Sequence, residues 1–297
     1  MSKSKTGSAE IRRGTSQFRL TWNRLRKNPR AVVCMIYLAL FFLVVIFADQ
    51  LADYNTSVVY QNLKERFMAP CAAHPFGTDA MGRDIMGRLL HGTRVAALLG
   101  FVPMLLSAFI GTMVGCAAAY FGGRWDNLLM RVIDVISTIP SLILAMAICA
   151  GFGNGMWQLI LALTVGQIPN FSRGIRAKAL SVVNEEFIEA GKAQGASDLW
   201  LIVKYIVPNV LSILLVQATL TTALNILTGA TLSFIGLGVK APTPEWGSML
   251  KDSISTVSKA PYQIVFPGIA LVLTSLAINT FGDCLRDAFD PHLKGKA

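Results

Sequence analysis

Charge is what this sequence has least of. Asp, Glu, Lys and Arg make up only 15% of its 297 residues, against 53% apolar, where an ordinary soluble domain carries roughly 25% charged residues. That balance argues against a soluble globular enzyme, and against a disordered chain, which needs low hydrophobicity. Lipid rather than water is expected over much of the surface. Histidine and cysteine are also sparse. The three histidines (His74, His91, His292) are scattered, and the five cysteines form no Cys-x-x-Cys and no Cys/His spacing suited to a metal. Cys34, Cys116 and Cys149 lie in apolar runs and Cys284 near the last one, where they read as small buried hydrophobes. Cys71 sits apart in a polar stretch, so an intrachain disulfide is not expected. Catalytic signatures are missing too. There is no GxxxxGK[ST] phosphate loop, no HExxH and no GxSxG elbow, so the chain is not expected to be an enzyme or to bind ATP or any other cofactor itself. The glycine-rich Gly151-Phe152-Gly153-Asn154-Gly155 joins two apolar runs and reads as a tight turn.

What is present is a series of long apolar runs, at 31–48, 95–120, 132–152, 156–171, 210–235 and 264–281. A helix needs about 20 mainly apolar residues to cross the hydrocarbon core. The expected fold is therefore an all-α integral membrane protein with six transmembrane helices. The first run follows a long basic leader without a clean cleavage site and reads as a retained span. Of the 27 Lys and Arg residues, 19 fall in segments 1–30, 120–131, 172–208 and beyond 281, and eight in 49–94, 153–155 and 236–263. The positive-inside rule then places both termini in the cytoplasm. It also explains most of the net charge of +10 without nucleic acid, for which no binding motif is present. The chain divides into a basic N-terminal segment (1–30), a first span with its outer loop (31–94), a five-helix core (95–284) and a cytoplasmic tail (285–297).

Acids are nearly absent from the spans, which counts against a proton-coupled secondary transporter; no inverted repeat is visible either. Neutral polar residues do occur there. Gln217, Thr221, Asn225 and Thr228 lie along the fifth run and Asn279 along the sixth. They are candidates both for hydrogen bonds between helices and for lining a hydrated path. Pro103 and Pro140 are expected to kink their helices, and Gly111 and Gly115 form a GxxxG pair that permits close helix approach.

The most informative segment is the polar loop 172–208. Asn184 reads as an N-cap, and Glu185, Glu186 and Glu189 suit the positive end of a helix dipole. Gly191 and Gly195 suggest a bend or a close contact, and Pro208 restarts the chain into the next span. A helical loop of this length is suited to docking another protein.

Glu189-Ala190-Gly191, Gly195 and Tyr205-Ile206-Val207-Pro208 resemble, with intact spacing, the EAA motif of ABC-importer permeases. Three positions depart from that motif: Gly191 replaces its second alanine, Tyr205 its isoleucine and Val207 its leucine. Further segments resemble the dipeptide/oligopeptide/nickel branch and its shorter, C-type permease. They are His74-Pro75-Phe76-Gly77-Thr78-Asp79 with Gly82-Arg83-Asp84, Leu232 to Gly238, Pro242 to Leu250, and Gly282-Asp283 with Leu285 to Ala288 and Asp290-Pro291. Cys284, Gly229 and the stretch Asn170-Phe171-Ser172 depart from its usual residues.

The resemblance implies half of a translocation path for di- or oligopeptides in the cell membrane, with a permease for nickel or another small solute as the alternative; from a different class, the rival readings are a secondary transporter and a non-transporting membrane scaffold. It implies a second homologous permease, two cytoplasmic ATPases that carry the ATP, and an extracytoplasmic solute-binding protein. Glu185 to Asp198 would form the helix that seats in an ATPase, with Gly191 and Gly195 allowing close approach and Glu189 adding a charge contact. The outer segments, with Asp79, Arg83, Asp84 and Trp246, are candidates for docking the binding protein. Trp246 reads equally well as an interfacial belt residue.

Overall fold

The computed structural model describes residues 17–289, and among them all regular structure is helical. Of the basic segment 1–30 only the part from Gln17 is described. The tail is described to Phe289, and Asp290-Pro291 lies outside the described residues.

Local chemistry sets where the helices start. A short helix, α1 (Gln17–Lys27), precedes Asn28, whose side-chain oxygen accepts from the Arg30 backbone N–H at 3.0 Å. Pro29 takes the first helical position, where its missing N–H has no partner to lose, and α2 runs Pro29–Leu51. Asp84 caps α3 (Ile85–Phe121), with Oδ2 accepting from Gly87 N–H at 2.6 Å. There follow α4 (Gly123–Ser137), α5 (Ser141–Phe152), α6 (Met156–Val183) and two short helices, α7 (Glu186–Ala193) and α8 (Asp198–Leu201). A π-helical turn at Ile202–Ile206 joins α8 to α9 (Val207–Phe234), and α10 (Trp246–Ser253) and α11 (Tyr262–Phe289) complete the chain.

By length and composition α2, α3, the continuous run Asp198–Phe234 and α11 could each cross a membrane, and α4 with α5 makes a fifth candidate. The expected third span, 132–152, is not one straight helix. It breaks after Ser137 and turns through 79° between α4 and α5, because Pro140 has no N–H to donate and disfavours helix in the residue before it. Pro103, by contrast, lies within an unbroken α3. The expected fourth span, 156–171, is part of a helix of 28 residues. That helix is not apolar enough to stand with the other candidates. Gln158, Gln167 and Asn170 interrupt it, and Leu159, Leu163, Gln167, Phe171 and Ile175 are buried against protein. Its surroundings are neighbouring helices, so it needs less apolar surface than a helix facing lipid. The outward faces are different. Val33, Ile36, Leu40 and Phe47 on α2, Leu105 and Phe109 on α3, and Val272 and Leu276 on α11 are exposed and apolar, as a surface solvated by lipid must be.

The centre of the bundle is the contact between α3 and α6. A Cβ built on Gly111 would collide with Phe171 Cβ, and one on Gly115 would lie 2.7 Å from the Ser172 carbonyl oxygen. The GxxxG pair is thus a seam where the α3 backbone meets α6. On another face of α3, Gly100 receives Ile226 of α9. Four of the five cysteines are buried, and Cys71 is exposed and free.

Candidate functional site

At the end of the bundle where α3 finishes and α9 begins, the loop expected for docking folds onto the helix ends. The helix within it is α7, and Glu185 is its N-cap. Asn184, expected to cap it, instead ends α6, its Nδ2 donating to the Leu180 carbonyl at 3.0 Å. Ile188 is the hydrophobic pin. It is fully buried in a cluster with Cys116 and Ala119 of α3, Ile175 and Ala179 of α6, and Leu201, Ile206 and Val210. Burying one such side chain stabilises by roughly 1.5–3 kcal/mol. Glu185, Glu186, Glu189 and Ala190 face outward, beside the exposed Phe187. The acidic residues of the first turn, Glu186 and Glu189, sit where the helix dipole favours negative charge.

The glycines of this loop have internal reasons. A Cβ on Gly191 would meet Leu201 Cδ2 at 2.6 Å, so this glycine lets α7 close on α8. Gly195 has nothing within 4 Å but adopts φ +77°. It follows α7 as a left-handed turn in which Ala196 N–H reaches the Gly191 carbonyl at 3.1 Å and Gly195 N–H that of Lys192 at 3.0 Å. This is the Schellman arrangement that ends many helices. The close approach expected at Gly195 is therefore not a requirement of the chain itself; the backbone angle is. Asp198 opens α8 and accepts from Tyr120 Oη at 2.6 Å, and Lys192 Nζ lies 4.8 Å from the centre of the Tyr120 ring. Tyr120 thus ties the end of α3 to both short helices. Pro208 lies at the start of α9, directly after the π-helical turn Ile202–Ile206. Removing the hydroxyl with Tyr120→Phe is expected to cost about 0.5–1.5 kcal/mol of local stability, because the exposed Asp198 is rehydrated. Hydrogen exchange at α7 should then rise while exchange at the centre of α3 stays unchanged.

The polar residues expected along a path separate. A cavity of about 590 Å³ opens between α6, α9 and the end of α11, lined in part by Asn170, Gly174, Gln217, Thr221 and Arg286. Gln217 and Thr221 are therefore brought together, and Gln217 Oε1 has no hydrogen-bond partner. Asn225 is not in this cavity. It is fully buried and its Nδ2 reaches the Gly100 carbonyl of α3 at 3.3 Å, as a bond between helices. Thr228 is half-buried and Asn279 exposed, and neither lines the cavity.

At the opposite end, residues 52–84 form a cap over α3. Asp79 Oδ2 accepts from Arg83 Nε at 2.7 Å, and Asp84, besides capping α3, lies 3.0 Å from His74 Nδ1. Arg83 is buried. Trp246, a candidate docking anchor, is only 2% exposed, its Nε1 donating to the Leu89 carbonyl at 3.2 Å and its ring set against Phe41. It is neither a surface anchor nor an interfacial belt residue, because the indole N–H has found its acceptor inside the protein. Glu245 is also buried and caps α10 through Ser248 N–H at 2.8 Å, and burial holds its carboxyl above the usual range.

Sequence reasoning missed the ties between distant residues, among them those made by Arg94 and Arg176. Arg94 closes the end of α2, donating to the Val45 carbonyl at 2.7 Å and to Asp49 at 2.8 Å. Arg176 of α6 donates through Nε to Asp126 of α4 at 2.6 Å. Both join residues about 50 positions apart, and no local pattern signals them.

The family model described as "Binding-protein-dependent transport system inner membrane component" matches residues 109–295, and that of the N-terminal TM domain of oligopeptide transport permease C matches residues 16–70. The dipeptide transport system permease protein DppC of Alkalihalophilus pseudofirmus is 41% identical over 280 residues, 94% of this chain and 91% of that protein. The glutathione transport system permease protein GsiD of Escherichia coli is 38% identical over 276 residues, 92% of this chain and 90% of that protein. Among solved structures, a chain of the inward-facing MetNI methionine ABC transporter superposes with a TM-score of 0.57 at 21% identity, over 69% of this chain and 98% of that one. At that identity the likeness is one of fold.

Proposed function

The chain belongs to the family of binding-protein-dependent transport system inner membrane components, and from that premise we propose that it forms half of a translocation path for di- or oligopeptides. It is a permease subunit of an ABC importer in the inner membrane. An ATPase and a substrate-binding protein are the partners that this family works with. The relatives named for dipeptide and glutathione transport support a peptide as the cargo.

The finer reading has six spans with both termini in the cytoplasm, supported by the uneven distribution of Lys and Arg. One homologous permease and two ATPase subunits complete the importer, and ATP binds to the ATPases alone. The observation that carries the coupling mechanism is the attachment of α7. Its outer face carries Glu186, Phe187 and Glu189, while Ile188 fixes its inner face to α3, α6 and α9, Lys192 lies over the Tyr120 ring, and the Tyr120–Asp198 bond holds the adjoining α8 to α3. A helix held this way transmits a push as a rigid body instead of yielding locally. Closure of an ATPase dimer against α7 then moves the long helices and the cavity at Gln217 and Thr221.

The test is affinity capture of the tagged full chain from detergent-solubilised membranes. Wild type is expected to bring down a second permease and two ATPase subunits. Glu186→Lys with Glu189→Lys changes only exposed groups, so it should keep the permease and lose the ATPases. Retention of the ATPases by this variant contradicts docking through α7.

A further inference from the structure

A cavity of about 210 Å³ lies between the start of α3, α10 and the start of α11, lined in part by Asp79, Arg83, Arg88, Asp252 and Gln263. Arg88 is 4% exposed, and its Nη1 is buried with no hydrogen-bond partner. Asp79 Oδ2 is 3.5 Å from that atom, outside good hydrogen-bond reach, and already accepts from Arg83 Nε at 2.7 Å. The other oxygen of Asp79 accepts from the backbone N–H groups of Met81 at 2.8 Å and Arg83 at 3.0 Å. One carboxylate therefore serves two guanidinium groups and two backbone donors. Gln263, another lining residue and 3% exposed, carries a second buried donor without an acceptor, Nε2. Asp252 is exposed and so is largely compensated by water.

A guanidinium stays charged at any ordinary pH, and a buried charged donor without an acceptor is costly. The missing partner is thus an acceptor, and one with negative charge suits two buried guanidiniums that both ion-pair with Asp79 and have otherwise only the field of the exposed Asp252. Water satisfies a donor but leaves that charge uncompensated. The volume holds an acetate-sized group with a few waters, given that a water occupies roughly 30 Å³ of liquid. A planar carboxylate also matches the fork of an arginine.

We propose that this cavity binds a carboxylate through Arg88 and Gln263, supplied by a small organic anion or by an acidic side chain of a protein docked on this end of the bundle. The site is independent of the transport reading, because it is tested first by thermal melting of the purified importer. Sodium acetate is compared with acetamide, its neutral counterpart, at equal ionic strength. Acetate is expected to raise the melting temperature saturably by about 2–4 °C and acetamide to leave it unchanged. Gln263→Glu places a carboxylate in the lining of the cavity that Arg88 also lines and should abolish the acetate response. Arg88→Lys, which keeps the charge but not the fork, should raise the half-saturating acetate concentration several-fold. No difference between acetate and acetamide in the wild type overturns the proposal. So does an acetate shift of equal size and midpoint in the wild type and both variants. The two sources are separated with the solute-binding protein. Competition by acetate against its docking identifies a side chain, and docking unaffected by saturating acetate identifies a free anion.

Discussion

Gly115→Leu is expected to prevent the protein from reaching a folded state in the membrane. The added side chain would start 2.7 Å from the Ser172 carbonyl oxygen and 3.0 Å from the Arg176 backbone nitrogen. Those are backbone atoms of α6, so no rotamer change relieves the clash; α3 and α6 must separate. Overpacking in a well-filled core costs typically 1–3 kcal/mol, and the backbone contact puts this case at or above the upper limit. Separation would also pull Ile175 and Ala179 away from Cys116 and Ala119, which lie in one cluster with Ile188. The check is membrane accumulation and a single symmetric peak in size-exclusion chromatography, both of which should be lost. Gly151→Ala is the control. Its Cβ would meet nothing within 4 Å, and it should behave as wild type.

Gly195→Val is expected to leave insertion and assembly of the spans intact but to reduce transport at least tenfold. A β-branched residue is a steric outlier at φ +77°, with a cost of order 1–3 kcal/mol. The turn after α7 should open, releasing Ala196 N–H from the Gly191 carbonyl and displacing Asp198 from Tyr120. Gly195→Asn decides between two explanations of this glycine. Asparagine tolerates the left-handed region, so the backbone explanation predicts near-normal transport for Asn and loss for Val. Equal loss in both would mean that the glycine is needed for close approach of a partner.

Much of this architecture was legible because it follows from local chemistry. The apolar runs at 31–48 and 264–281 lie within α2 and α11, since backbone groups in lipid must be satisfied within a helix. The loop 172–208 does contain an amphipathic helix, although its first twelve residues, to Val183, extend α6. Hydropathy misplaced that boundary. Arg173 and Arg176 read as loop charges, whereas one pairs with Asp134 and the other with Asp126. The fate of the polar residues was not legible in principle. Gln217 and Asn225 are eight positions apart on one helix, yet one faces a cavity and the other the α3 backbone. Only the position of the neighbouring helices separates those roles. Trp246 failed as a surface anchor for the same reason, because its acceptor, the Leu89 carbonyl, is 157 residues away in sequence.

Coupling through α7 is the central claim, and uptake by the importer reconstituted in liposomes tests it most directly. This chain, the second permease and the ATPases are placed in the vesicle membrane, ATP inside, the binding protein and a labelled dipeptide outside. Wild type is expected to accumulate the dipeptide only with ATP and the binding protein. Ile188→Ala, which loosens the pin of α7 at a cost of about 2–5 kcal/mol, is expected to retain ATP hydrolysis while uptake per ATP falls severalfold. Undiminished uptake per ATP in Ile188→Ala, or accumulation by wild type without ATP, contradicts coupling through this helix.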